Sequence, residues 1–171
     1  VLIAAFGTPA ALPQVALVER RYEGRIYQTH GVANNDFLRV AGKQAEGTYL
    51  PVGPLLVSDQ LAPSHPARAK SLDIVKRYEQ KFGKGTKNTF ISNAYDAYLL
   101  AANAIPKALA KANPGTKEFR TALRDALEQT KEFPGTQGVY NMSTTDHVGL
   151  DRRSRIIVRI ESGTWKIDPT K

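Results

Sequence analysis

Two stretches of this 171-residue chain combine residue types suited to holding a small polar molecule. Phe6-Gly7-Thr8-Pro9 follows the apolar run Val1-Leu2-Ile3-Ala4-Ala5, and Thr29-His30-Gly31 follows Gly24-Arg25-Ile26-Tyr27-Gln28. Each reads as a strand running into a glycine-containing turn and then a helix. In open parallel α/β sheets small molecules bind at such junctions, because unpaired backbone N–H groups and the positive end of the helix dipole meet there. The candidate ligand-binding residues are therefore Phe6, Gly7, Thr8, Thr29, His30 and Gly31. Phe6-Gly7-Thr8-Pro9 has too few glycines to wrap a pyrophosphate, so one helix N-terminus with a hydroxyl cap suits a single carboxylate or amide.

Catalytic machinery is harder to find. Of the three histidines, His30 ends a strand at the carboxyl edge of the sheet, and both a ligand contact and a hydrogen-bonded structural role stay open for it. His65, between Ser64 and Pro66, reads as a surface residue, and His147 in Thr144-Thr145-Asp146-His147 as part of an Asp–His contact bracing a loop. No Gly-x-Ser-x-Gly elbow, Walker loop, His-Glu-x-x-His or dinucleotide fingerprint is present. With no cysteine, thiolate nucleophiles, disulfides, zinc ribbons and iron–sulfur clusters drop out together. The expectation is a site that holds a molecule rather than transforming it, with no cofactor and no metal; an amide hydrolase is the enzymatic alternative.

The formal charge of +8 suits anionic partners through long-range steering. No RNA-binding aromatic motif or zinc-finger spacing accompanies it, so no nucleic-acid partner is expected. The densest basic run, Arg152-Arg153-Ser154-Arg155, reads as cationic cover for a solvated strand edge. At 42% hydrophobic residues the chain can bury a core, and no apolar run approaches the roughly 20 residues that cross a bilayer.

The elements that must position the two junctions follow from caps and periodicity. Thr8 as N-cap and Pro9 start a helix whose inner face is Leu12, Val15, Ala16 and Glu19. Residues 25–28 form a second strand, and Asn34 or Asn35 caps a short helix ending at Gly42. Residues 48–57 are extended but interrupted by Pro51 and Pro54, which exclude a regular central strand. Strand, helix, strand, helix, strand makes a parallel-sheet unit. The turn-rich stretch 58–66 suits a crossing between lobes. Three helices follow: one along Leu72, Val75, Tyr78 or Glu79 and Phe82, stopped by Gly83; one over 94–110, capped by Ser92 or Asn93, bent by Pro106 and sandwiched between other elements; and one capped by Thr116 with the stripe Phe119, Ala122, Leu123, Ala126, Leu127. A hairpin with its turn at Glu161-Ser162-Gly163-Thr164 closes the chain. The middle helices have too little strand of their own and need a sheet from residues outside this chain, which reads as a piece of something longer.

In order and spacing these pieces resemble the second half of the type I periplasmic binding proteins of branched-chain amino acid type ABC importers. The resemblance runs through the Phe-Gly-Thr-Pro turn, Arg21-Tyr22-Glu23-Gly24-Arg25-Ile26-Tyr27, Gly31-Val32-Ala33-Asn34-Asn35, Ala94-Tyr95-Asp96-Ala97 and Gly135-Thr136-Gln137-Gly138-Val139-Tyr140-Asn141. It implies an α/β clamshell, incomplete here, with 1–57 and 152–171 in the carboxyl-terminal lobe and 58–151 in a partial amino-terminal lobe lacking its strands. It also implies a periplasmic, non-enzymatic solute-binding protein with an ABC permease and the missing amino-terminal segment as partners. Phe6, Gly7 and Thr8 match the family's first cleft loop in this lobe, and His30 with Gly31 the second. Where amino-acid-binding members commonly place an acidic residue against the ligand ammonium, this chain has His30. That favours a small organic anion without the amine, and several relatives with this style of loop are associated with lignin-derived aromatic acids. Binding of a branched-chain amino acid or an amide by the same fold, and a sensory module of a receptor, are the alternatives.

Overall fold

A computed structural model describes residues 1–168; positions 169–171, the last three assigned above to the carboxyl-terminal lobe, lie outside the described residues. Strand and helix alternate at the start: β1 (Leu2–Ile3), α1 (Ala11–Glu19), β2 (Tyr27–Gln28), α2 (Asn35–Ala41) and β3 (Tyr49–Val52). Near the end, β6 (Ile156–Glu161) and β7 (Thr164–Ile167) join the same sheet, whose order is β1-β2-β3-β6-β7. The first three strands are parallel and the last two antiparallel.

Side-chain alternation along the strands gives this sheet two unlike faces. Ile3, Leu50, Val52, Val158, Ile160 and Trp165 are buried, most of them in one cluster with Ala10, Ala11, Phe37 and Ala41 of the α1 and α2 layer. Phe37 is fully buried, which contributes roughly 1.5–3 kcal/mol. Leu2, Tyr27, Pro51, Arg159 and Lys166 are exposed.

Caps and turns fall where the residue chemistry requires. The Asn34 side chain accepts from the Phe37 amide at 3.0 Å and starts α2, which ends at Gly42. Thr116 does the same for Phe119 at 3.1 Å and starts α5 (Lys117–Glu128). The β6–β7 turn has positive φ at both Ser162 and Gly163, the primed geometry that matches strand twist, and both amides donate to the Glu46 carboxylate.

Four expectations are corrected. The buried face of α1 is Ala11 and Gln14, while Leu12 is 71% exposed, because α1 packs through a polar network. In that network Gln14 Nε2 donates to Thr48 Oγ1 and the Gln44 carbonyl, and Gln28 Nε2 donates to Gln14 Oε1. Second, Pro51 does lie in a central strand. The Tyr49 amide turns toward β2 and donates to the Ile26 carbonyl, so Pro51, two residues on, faces Gln28, the last residue of β2, beyond the single pair Tyr27↔Tyr49, and its missing N–H costs one ladder hydrogen bond at the strand end. Third, the basic run 152–155 covers no sheet edge, since β6 is paired on both sides. Arg153 instead bridges Asp151 and Glu132. Fourth, the alanine-rich helix starts earlier than expected, as α4 (Phe90–Leu109), and its Tyr98, Ile105 and Leu109 are exposed rather than sandwiched.

Between β3 and β6 lie α3 (Arg68–Phe82), α4, α5 and a small antiparallel pair, β4 (Phe133–Pro134) and β5 (Val139–Tyr140). Buried alanines at 104, 108, 122 and 126 accompany the packing of α4 on α5. Asp96 on α4 is buried and fastens the loop between β4 and β5, accepting from the amide and hydroxyl of Thr136, the amide of Gln137 and the Tyr140 phenol. Burial and the Asp96 carboxylate push the Tyr140 phenol well above its ordinary pKa. No helix among the described residues is long and apolar enough to cross a membrane.

Candidate functional site

β1 and β2 lie side by side and parallel, so their carboxyl ends deliver Phe6-Gly7-Thr8 and Thr29-His30-Gly31 to the same edge of the sheet. Two hydrogen bonds tie the junctions together: Thr29 Oγ1 donates to the Ala5 carbonyl at 2.5 Å, and the Gly7 amide to the Gly31 carbonyl at 3.1 Å. Glycine at 31 follows from this proximity, because a Cβ there would lie 2.6 Å from Phe6 Cβ and 3.1 Å from Phe6 Cα. All six residues singled out from the sequence are thus brought into one neighbourhood.

Their roles differ from one another. Phe6 is 79% exposed, a large apolar side chain displayed at the carboxyl edge. Thr8 is exposed but is not an N-cap: Gly7, at φ +62, precedes a short 3-10 turn over Thr8–Ala10 that leads into α1, and no side chain caps it. A threonine at the cap would need extended backbone one position earlier, where the tie to Gly31 sets a left-handed glycine. A second 3-10 turn, His30–Val32, precedes α2.

His30 is half-buried, and its Nε2 lies 2.8 Å from Thr89 Oγ1. Its ring also meets Phe90 edge-on, with centroids 6.1 Å apart. Burial holds the imidazole below its ordinary pKa, favouring the neutral ring. Thr89 and Phe90, at the start of α4, therefore complete the neighbourhood from a different part of the chain. Hydrophobic patterning could not reveal them, since a threonine–phenylalanine pair before a helix reads as an ordinary helix start. With Phe6, Phe90 gives the site two aromatic side chains, each substantially exposed.

The other histidines lie elsewhere. His65 is half-buried rather than at the surface and accepts from the Ala67 amide through Nδ1 at 3.3 Å. His147 pairs with Glu128 at 3.1 Å and not with Asp146, whose carboxylate is taken by the amides of Val148 and Gly149. Among the described residues no cluster of histidine, aspartate and glutamate could hold a metal. A depression of about 790 Å³ on the sheet, bordered by Arg25, Tyr27, Tyr49, Arg159 and Lys166, is lined by none of the six junction residues.

No protein-family model and no curated protein matches the chain. Solved structures do. An extracellular ligand-binding receptor from Rhodopseudomonas palustris is 44% identical, with a TM-score of 0.92 over 98% of this chain and 47% of its own. A second extracellular ligand-binding receptor from the same species is 38% identical, with a TM-score of 0.89 over 98% of this chain and 46% of its own. A leucine-binding protein from Thermotoga maritima shares the fold at 17% identity, with a TM-score of 0.72 over 98% of this chain and 43% of its own. The chain spans about half the length of the structures it matches.

Proposed function

We propose that this chain, which has part of the type I periplasmic binding fold, belongs to an extracytoplasmic solute-binding protein that captures a small organic acid for an ABC importer. The observation that carries the reading is the meeting of the two β-to-α junctions with Thr89 and Phe90, which sets the Phe90 ring against the His30 imidazole and brings exposed Phe6 to the same edge. Such a set suits an acid with an apolar body, held by ring contacts and a few placed polar groups. A neutral imidazole gives an ammonium no carboxylate to pair with, whereas it can donate a hydrogen bond to a carboxylate.

In this reading residues 1–57 and 152–171 belong to one lobe and 58–151 to another, and the His30–Thr89 hydrogen bond joins the two. A preceding segment completes the second lobe and covers α4, whose exposed Tyr98, Ile105 and Leu109 are the apolar side chains available for it. Lobe closure about the crossings traps the ligand, and a membrane permease receives it. The extracellular ligand-binding receptors at up to 44% identity support the solute-binding role.

The test is a thermal-shift screen of the full-length protein against aromatic acids, aliphatic acids and amino acids. Aromatic or aliphatic acids are expected to raise the melting temperature. Stabilisation by leucine, isoleucine or valine alone would overturn the acid assignment.

A further inference from the structure

Thr89 is fully buried and stands immediately before α4, where a threonine ordinarily turns its hydroxyl back onto the first amides of the helix. Here the Thr89 backbone is already helical, at φ −66 and ψ −26, and its side chain caps nothing. The Phe90 amide is taken by Asn88 Oδ1 at 2.9 Å instead. The Thr89 hydroxyl is thereby released to meet His30 Nε2, 59 residues away in sequence. It makes no other hydrogen bond among the described residues.

A hydroxyl has one hydrogen and two lone pairs, and in a buried position an unpaired hydrogen is worse than an unpaired lone pair. The hydroxyl therefore donates and Nε2 accepts. A neutral imidazole that accepts at Nε2 carries its proton on Nδ1. Nδ1 of His30 has no hydrogen-bond partner among the described residues.

We infer that Thr89 is the positioning residue that sets ligand specificity: by holding His30 in its Nδ1–H form it leaves the ring a donor and no acceptor, favouring a carboxylate or carbonyl over an amine. The inference rests on the proposed role of His30 as a ligand contact. Its first test requires no ligand. In 15N-labelled full-length protein, long-range 1H–15N correlations of His30, assigned against His30→Gln, should show Nδ1 protonated and Nε2 accepting. Thr89→Ser should keep that pattern and Thr89→Val, which removes the hydroxyl, should give a mixture of both forms. A dominant Nε2–H form in the parent, or an unaltered pattern in Thr89→Val, overturns the inference. If Thr89→Val does not fold, the parent and Thr89→Ser spectra still decide which nitrogen holds the proton.

The second arm titrates benzoate, with benzylamine as the cationic counterpart. Thr89→Val should weaken benzoate binding about tenfold relative to benzylamine, and Thr89→Ser should stay within about twofold of the parent. Equal benzoate affinity in Thr89→Val overturns the specificity role. Failure of the parent to bind benzoate overturns the acid reading itself, while the ligand-free spectra continue to judge the tautomer.

Discussion

Removing the carboxylate of Asp96 should unlatch the loop between β4 and β5. Asp96 is 1% exposed and accepts from the Thr136 amide at 2.7 and 2.9 Å, the Thr136 hydroxyl at 2.8 Å, the Gln137 amide at 2.8 Å and the Tyr140 phenol at 2.9 Å. In Asp96→Ala these donors lose their acceptor inside the protein, at about 1–3 kcal/mol each before relaxation. The losses overlap, because the donors share one carboxylate and water can enter the space left behind. A net loss of about 3–5 kcal/mol is expected, or about 10–15 °C in melting temperature for a domain of this size. Asp96→Asn keeps one acceptor oxygen but turns an NH2 group onto N–H and O–H donors, so it should recover less than half of the loss. Thermal and urea unfolding followed by circular dichroism measure both variants, and amide exchange at Thr136 and Gln137 locates the effect. An Asp96→Ala protein within about 1 kcal/mol of the parent, with those amides still protected, would show that the carboxylate does not fasten the loop.

Other expected outcomes follow from the same geometry. Gly31→Ala drives a methyl into Phe6 Cβ at 2.6 Å and pushes the junctions apart, which should cost about 1–3 kcal/mol in unfolding experiments and weaken acid binding. Gln14→Leu strands the polar atoms of Gln28 and Thr48 that it serves, costing about 1–3 kcal/mol, and a Gln14→Leu/Gln28→Leu double-mutant cycle should show strong coupling. Burial depresses the pKa of both His30 and His65, so the unfolded chain takes up protons before the folded one as pH falls through the ordinary histidine range. Stability is therefore complete above that range and declines as pH drops through it toward the folded-state pKa values. The melting temperature of the parent should fall on acidification, and His30→Gln should fall less.

Much of this architecture was legible because single residues dictate it. Asn34 and Thr116 cap the helices assigned to them, and Gly42 and Gly83 follow helix ends. Ser162-Gly163 makes the hairpin turn, and both β-to-α junctions are apparent from strand–glycine–helix punctuation. What stayed hidden depends on partners remote in sequence. The inner face of α1 escapes an apolar periodicity because Gln14 is buried by glutamine and threonine from two other segments. Pro51 is tolerated in a central strand because the pairing of β2 with β3 is confined to Tyr27 and Tyr49, so only a bond at the very end of β2 is lost, and strand length is not written in local proline content. Asp96 and the loop over 135–138 both fall in stretches that carry the family resemblance, yet nothing in their spacing reveals that one carboxylate fastens the other. Thr89 carried no local signal, since its hydroxyl serves His30 rather than its own helix.

In the proposed function the paired junctions bearing Phe6 and His30 form one wall of a ligand site. Isothermal titration of the full-length protein with the acid that stabilises it most, repeated for His30→Ala and Phe6→Ala, addresses it directly. Each substitution should weaken binding by about tenfold or more while the melting temperature of the ligand-free protein changes by only a few degrees. Dissociation constants unchanged in both variants would contradict it.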